Sequence, residues 1–394
     1  MNAFSEELSP NELGERLRAA RESAKVTQAA AAAEIEVART TLIAIEQGQR
    51  RVRIDEIQKL ARLYSTSVNA IFRRESVQVD LAPRFRKLAD NTDPAVEEAA
   101  GLLAALVKAE VELENLLGVQ RPRNYPQERP ILQGDVRAQA EQDALELRQW
   151  LGIGLGPISD ITTLLELDLG ARVYVRRLDA NISGLFAFED SVGACILLNA
   201  NHPRERRAQT GAHELGHFVS TRREPEVYLE DWLENSREER YANAFGRAFL
   251  TPARAVMQKF REITAGADRL TRRHVIILAH AFGVSREAIV RRLEELNLTK
   301  RGTWEWFVAN GGISDDQVKQ VLGDLVPVDS QKAEADQPTS LRINLLAGEA
   351  WRRGIMSEGQ LTRLLRISRV EMRSILDGLD SEGSEADDQP RLPV

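Results

Sequence analysis

The longest periodic stretch of the chain runs from Pro94 to Leu117 without an internal proline. Val96, Leu103, Leu106, Leu113 and Leu117 recur at spacings of three, four or seven, the period of one helix face. Such a stripe could pack on a neighbouring domain, pair with its copy in a dimer, or serve as an ordinary core helix. Shorter helical patterns precede it. They are Leu13–Ser23, with Leu13, Leu17 and Ala20 on one side; Gln28–Ile35, an alanine block for which Thr27 is a candidate N-cap; Arg39–Glu46, stopped by Gly48; Ile54–Tyr64; and Val68–Phe72. Further on, Gly134–Leu151 is amphipathic, and Ala242, Phe245, Ala248 and Phe249 form an apolar stripe. Two helices fit Arg269–Leu298, around Gly283-Val284. Val173-Tyr174-Val175 and Ile196-Leu197-Leu198-Asn199 read as strands. The predicted class is α+β, mainly helical, with a small sheet.

Prolines and polar runs divide the pattern. Residues 75–93 are a polar connector, residues 120–134 hold three prolines and read as a linker, and residues 327–340 are linker-like. The expected organisation is a five-helix domain at 1–75, a linker region at 76–134 containing the 94–117 helix, a central domain at 135–300, a helical C-terminal module at 301–379, and an acidic tail at 380–394 expected to be disordered. The Trp304, Trp306 and Phe307 cluster should pack on the central domain.

Composition narrows the class. With 43% apolar and 29% charged residues the chain has the make-up of a globular protein. MNAFSEELSP has neither a basic region nor an apolar core, so no signal peptide is read there, and no apolar run reaches the roughly 20 residues of a membrane helix. The only cysteine, Cys195, sits on a predicted strand as a core residue, which fits a cytoplasmic location. The net charge of −7 argues against nucleic acid as a partner, but it is unevenly spread. Residues 12–74 hold twelve Lys and Arg against eight Asp and Glu.

Candidate chemistry is concentrated in residues 206–250. His213-Glu214-Leu215-Gly216-His217 spells H-E-x-x-H, and on a helix the two imidazoles lie one turn apart on one face, where both can reach one metal ion. A catalytic zinc takes three protein ligands. Downstream, Glu239 lies one turn before Asn243 and can face the histidines; Glu238, about 100° away around the helix, competes with it. Gly216, beside the second histidine, predicts close approach by another segment. His202, His274 and His280 are not assigned as ligands.

HELGH, then E-x-x-A-N-x-F and the break Leu250-Thr251-Pro252, resemble the ImmA/IrrE family of metallopeptidases. Pro157-Ile158-Ser159-Asp160, Ile182-Ser183-Gly184 and Phe282-Gly283-Val284-Ser285-Arg286-Glu287 fit as well, so the resemblance covers about residues 135–299. It implies a zincin-like domain in which His213, His217 and Glu239 bind one zinc ion and Glu214 is the general base. The Ile196, Leu197, Leu198 and Asn199 strand would then offer an edge to an extended substrate.

The N-terminal pattern L-x-x-x-R, T-Q, T-x-x-x-I-E-x-G and S-x-N-x-I-F resembles the Xre/Cro-type helix-turn-helix of phage repressors. The resemblance implies that Arg39, Thr40 and Thr41 face base edges, that Gln28 meets phosphate or bases, that Arg50, Arg51 and Arg53 meet phosphates, and that Arg21 pairs with Glu46. Glu36 stands where the family often has glycine, and Ala38 where a Ser or Thr usually caps the third helix. Residues 357–379 resemble a second, minimal helix-turn-helix; a helical oligomerisation or partner-docking module is the competing reading. Together these likenesses imply a regulator that binds double-stranded operator DNA as a homodimer and carries a zinc endopeptidase acting on a repressor or partner protein. Its setting would be stress, phage, mobile-element or toxin–antitoxin control. The alternative is a repressor or antitoxin whose zincin fold only binds a partner.

Overall fold

The computed structural model of the chain describes residues 10–24, 26–64, 94–222, 226–229, 236–323 and 339–380. The chain divides into two compact units, Met1–Gln78 and Val79–Val394. No helix among the described residues is long and apolar enough to cross a membrane.

In the first unit α1 (Pro10–Ser23), α2 (Gln28–Glu34), α3 (Arg39–Glu46) and α4 (Ile54–Leu63) surround Leu17, Ala31, Ile35, Leu42, Ile45, Ile57 and Leu60. Thr27 caps α2 through its hydroxyl, which accepts from the Ala30 amide. The expected pair is present and buried: Arg21 Nε meets Glu46 Oε1 at 2.7 Å, and Arg21 Nη2 meets Oε2 at 3.2 Å. Glu36 has φ 60°, in the left-handed region that glycine fills without strain, which is the physical reason for glycine at this turn in related sequences. Its carboxylate meets Lys59 Nζ at 3.0 Å. Ala38 begins α3 with no side-chain cap. The helix expected at Val68–Phe72 lies outside the described residues, as does the acidic tail expected at 380–394 apart from Asp380, which ends the last helix.

The second unit is built on a four-stranded sheet of β1 (Arg172–Arg176), β2 (Ile182–Glu189), β3 (Gly193–Asn199) and β4 (Glu226–Leu229), in the order β1-β3-β2-β4. β1 runs parallel to β3; β2 runs antiparallel to both β3 and β4. Both faces of this sheet are covered. Val173, Phe186, Ile196 and Leu198 join one core, with α6 (Val136–Trp150), α7 (Arg204–Ser220) and α8 (Arg237–Leu250). Tyr174, Leu185, Cys195 and Leu197 join the other, with α5 (Pro94–Leu117). Burial on both sides explains the unbroken apolar run of β3, since neither set of alternate residues meets water. It also corrects the expectation for Ile196, Leu197, Leu198 and Asn199. β3 is interior, paired by β1 on one side and β2 on the other, so its backbone has no edge to offer. Asn199 instead ties the preceding loop, donating to the Asp179 and Ile182 carbonyls and accepting from the Leu178 amide.

The stripe of α5 is spent within the unit: Val96, Leu103, Leu106, Leu113 and Leu117 are all buried in the second core. The proline-bearing stretch 120–134 is not loose either. Tyr125 Oη accepts from the Ala194 amide, the Asn124 amide donates to the Leu169 carbonyl, and the Arg129 amide donates to the Val219 carbonyl. Beyond α8 follow α9 (Ala253–Ile263), α10 (Arg272–Phe282), α11 (Arg286–Glu295), α12 (Thr303–Ala309) and α13 (Asp315–Leu322). Phe307 is buried and Trp304 packs on the first core, while Trp306 stays exposed. Last come α14 (Leu341–Arg352), α15 (Glu358–Leu365) and α16 (Arg369–Asp380), which close the second core beside α5.

Candidate metal centre and nucleic-acid interface

α7 starts after Pro203 and carries His213 and His217 on its buried face, with exposures of 1% and 0%. Ser236 caps α8 through a 3.0 Å bond from the Glu239 amide, which sets Glu239 in the first turn. The two helices cross in backbone contact. A Cβ on Gly216 would lie 2.9 Å from Ala242 Cα, and one on Gly246 would lie 3.0 Å from the His213 amide nitrogen. The segment predicted to approach Gly216 is therefore α8, and this crossing carries Glu239 to the histidines. Gly184 on β2 serves the same end. A Cβ there would sit 2.6 Å from Thr210 Cγ2 and 3.3 Å from Glu214 Oε1, so the bare strand lets α7 lie close to the sheet.

The result is a compact donor set. His213 Nε2 and His217 Nε2 are 3.1 Å apart, and Glu239 places Oε2 3.5 Å from the first and Oε1 3.3 Å from the second. Asn243, one turn after Glu239, sets its amide oxygen 3.0 Å from His213 Nδ1. That oxygen can only accept, so the His213 proton sits on Nδ1 and the Nε2 lone pair points at His217 and Glu239. His217 Nδ1 lies 3.3 Å from the Thr221 hydroxyl. Burial, and then the neighbouring His217, push the His213 imidazolium well below the usual histidine range, leaving the neutral ring that ligates metals. The His213 lone pair, the His217 ring and a carboxylate converge here in a buried space, an arrangement that a cation placed between them would satisfy. Among the described residues this is the one set of three His, Cys, Asp or Glu side chains so placed; Glu238, His202, His274 and His280 are not part of it. Glu214, on the same helix, is fully buried.

Sequence reasoning missed a cavity of about 830 Å³ at the N-terminal end of α7, lined by Asp160, Glu166, Arg204, Arg207 and His280 among others. None of the three metal-type donors lines it. Its walls come from segments far apart in the chain, which no local pattern reveals.

In the first unit Arg39 and Thr40, at the start of α3, are exposed, and Thr41 is half-buried. Gln28 Nε2 donates to Glu46 Oε2 at 3.0 Å, while its Oε1 accepts from Arg39 Nη2 at 3.3 Å. A relay therefore runs from the buried Arg21–Glu46 pair through Gln28 to Arg39, and Gln28 positions Arg39. Arg50 and Arg53 both meet Glu56, at 2.9 and 3.2 Å, so part of their charge is spent inside the unit; Arg51 is exposed.

The fold and these two constellations define a helix-turn-helix unit joined to a zincin-like unit. Residues 12–71 match a family described as a helix-turn-helix domain, and residues 167–294 match the peptidase family described as the IrrE N-terminal-like domain. No curated protein matches the chain. The chain thus carries a helix-turn-helix domain fused to an ImmA/IrrE-type domain, the combination of a DNA-binding regulator and a peptidase-like fold.

Proposed function

We propose that the protein is a transcriptional regulator whose second unit is a zinc-dependent endopeptidase acting on a repressor or partner protein. The observation that carries this reading is the buried convergence of His213, His217 and Glu239, with Glu214 on the same helix. When bound, a zinc ion would polarise a peptide carbonyl and acidify water to a pKa of about 7. The chain's own residues do the rest. Glu214 takes the proton of the attacking water and passes it to the leaving amine. Asn243 and Thr221 hold the imidazole rings in the ligating orientation. Arg39, Thr40 and Arg51 serve the DNA side, in the setting of a stress, phage, mobile-element or toxin–antitoxin operon.

The test is Glu214→Gln, which keeps the donor set. Cleavage of a helix-turn-helix repressor supplied as substrate should fall by about 10²–10⁴-fold, the share a positioned proton acceptor contributes, while the protein still binds zinc and operator DNA. Unchanged cleavage removes Glu214 from the chemistry. A second reading, a zincin fold that only binds a partner, is favoured by one feature: His213, Glu214, His217 and Glu239 are all at most 5% exposed. It predicts regulation that survives Glu214→Gln intact.

A further inference from the structure

The three C-terminal helices reproduce the N-terminal ones, position for position. Thr27 and Ser357, 330 positions apart, each cap a helix, accepting from the amides of Ala30 and Gln360. At the same separation, Glu36 and Arg366 are non-glycine residues in the left-handed region, with φ 60° and 53°. The Val37 amide bonds to the Ala32 carbonyl at 3.0 Å, as the Ile367 amide bonds to the Thr362 carbonyl at 3.3 Å. Arg39 and Arg369 then open the next helix. Buried partners correspond too: Ala31 with Leu361, Ile35 with Leu365, Leu42 with Met372, and Ile45 with Ile375. The Arg21–Glu46 ion pair has an apolar replacement in Trp351 and Leu376, both of the second core. Ser368 forms the cap that Ala38 lacks: its hydroxyl accepts from the Glu371 amide at 3.2 Å, and its own amide donates to Glu371 Oε2 at 2.7 Å.

A left-handed turn before a capped helix is not sufficient for binding. Gly283-Val284-Ser285-Arg286, between α10 and α11, has the same turn, but its Arg286 meets Asp315 at 2.9 Å and lines the cavity. α16 differs because its outer face is open. It buries Met372, Ile375 and Leu376 and shows Arg369, Val370, Arg373, Ser374 and, one helical turn further along, Asp377 to solvent, with Val370 80% exposed. Arg363 and Arg366 add two more exposed charges at the turn. Of the nearest carboxylates, Glu371 is engaged with the Ser368 amide and Glu358 with Arg373.

We propose that α14–α16 is a second helix-turn-helix that docks α16 in the major groove of double-stranded DNA. Arg369 and Val370 face base edges, where arginine pairs with guanine and an apolar side chain meets the thymine methyl, and Arg363, Arg366 and Arg373 face phosphates. The partner class is set by four exposed arginines clustered around a turn of this geometry. The comparison borrows the reading of α1–α3 as a DNA-contacting element, but the surface itself is separate, and the two fail separately.

The test uses the full chain and a mixed-sequence duplex of about 30 bp, three helical turns, with anisotropy measured across a salt series. The variant Arg366→Ala/Arg369→Ala/Arg373→Ala should bind at least tenfold more weakly. Its slope of log affinity against log salt should be shallower by about 2, since Arg366 and Arg373 face phosphates and each lost phosphate contact removes about 0.9. Arg39→Ala/Arg51→Ala should weaken binding independently. Should the triple variant melt early, Val370→Glu replaces it: one exposed side chain changed to a charge that DNA repels, again with a tenfold loss expected. Wild-type affinity and slope in the C-terminal variants, with loss in the N-terminal one, would overturn the second site. Loss only in the C-terminal variants would overturn the reading of α1–α3 and leave this one standing.

Discussion

The two faces of the sheet both bury charged or polar groups, and they satisfy them in opposite ways. Beneath the sheet, Glu110 and Glu114 of α5 meet Arg172 of β1, at 3.2 and 2.7 Å. Arg121 joins Glu110, and Arg342 of α14 reaches Glu114 at 3.1 Å. Tyr174 Oη donates to Glu110 at 2.6 Å. Burial alone would push the Glu110 carboxyl up, but Arg121 and Arg172 outweigh it and hold it below the usual carboxylate range. This face is electrostatically complete from the chain alone. Above the sheet, His213, His217 and Glu239 supply acceptors and a negative charge, with no Arg or Lys in the donor set. The same physics that makes the lower cluster a structural clamp suits the upper one to the cation proposed for it. Burial of charge does not by itself separate a structural site from a functional one; the chain's own neutralisation of that charge does.

The largest expected effect tests the lower face. Arg172→Ala breaks two buried ion pairs at once, with Glu110 and with Glu114, and should destabilise the second unit by about 3–5 kcal/mol, the cost of breaking a buried pair. The shift in denaturant midpoint should be equal with zinc present or chelated. A melting transition that moves by less than about 1 kcal/mol would mean that water or rearrangement already satisfies Glu110 and Glu114.

The upper face was far more legible in the sequence than the lower one, for a physical reason. The metal ligation and base recognition proposed here demand particular residue types at helical spacing, so His213, His217 and Glu239, and likewise the start of α3 at Arg39, leave a local signature. Packing demands only apolar area. The α5 stripe announced a helix but not the surface that buries it, and the prolines of 120–134 suggested a linker where Tyr125 and Arg121 tie the chain down. Strand order is set by contacts distant in sequence, so Ile196–Asn199 read as an edge while lying between two neighbours. One clue was available: an apolar run without alternation already implies a sheet covered on both faces.

A smaller effect sharpens the upper face. Asn243→Ala removes the acceptor that fixes the His213 tautomer without touching a donor atom. Zinc affinity, read by competition with a chromogenic chelator, should fall by about 10–100-fold, as for other groups that orient a ligating histidine. Loss of zinc binding altogether would make Asn243 a ligand itself, and unchanged affinity would show that packing alone orients the ring.

The smallest effect is the one that most directly separates the two faces, because it applies one substitution to both. Glutamate to glutamine changes shape little and removes one charge. At Glu110 it should destabilise, since Arg121 and Arg172 each lose one of the two carboxylates they meet. At Glu239, in zinc-free protein, the sign should reverse. There the carboxylate faces two imidazole nitrogens, one of them carrying the His213 lone pair, so an amide that can donate a hydrogen bond to it relieves the mismatch. The gain should be under about 1 kcal/mol, the net worth of one ordinary hydrogen bond. Adding zinc should stabilise the wild type and leave Glu239→Gln nearly unmoved, because binding to the folded state stabilises only in proportion to affinity. Chemical denaturation of both variants, with zinc and with chelator, gives the four numbers needed. A zinc-free Glu239→Gln protein as damaged as Glu110→Gln would mean that the chain neutralises the upper face too, and that the triad is a structural cluster of histidines and a carboxylate.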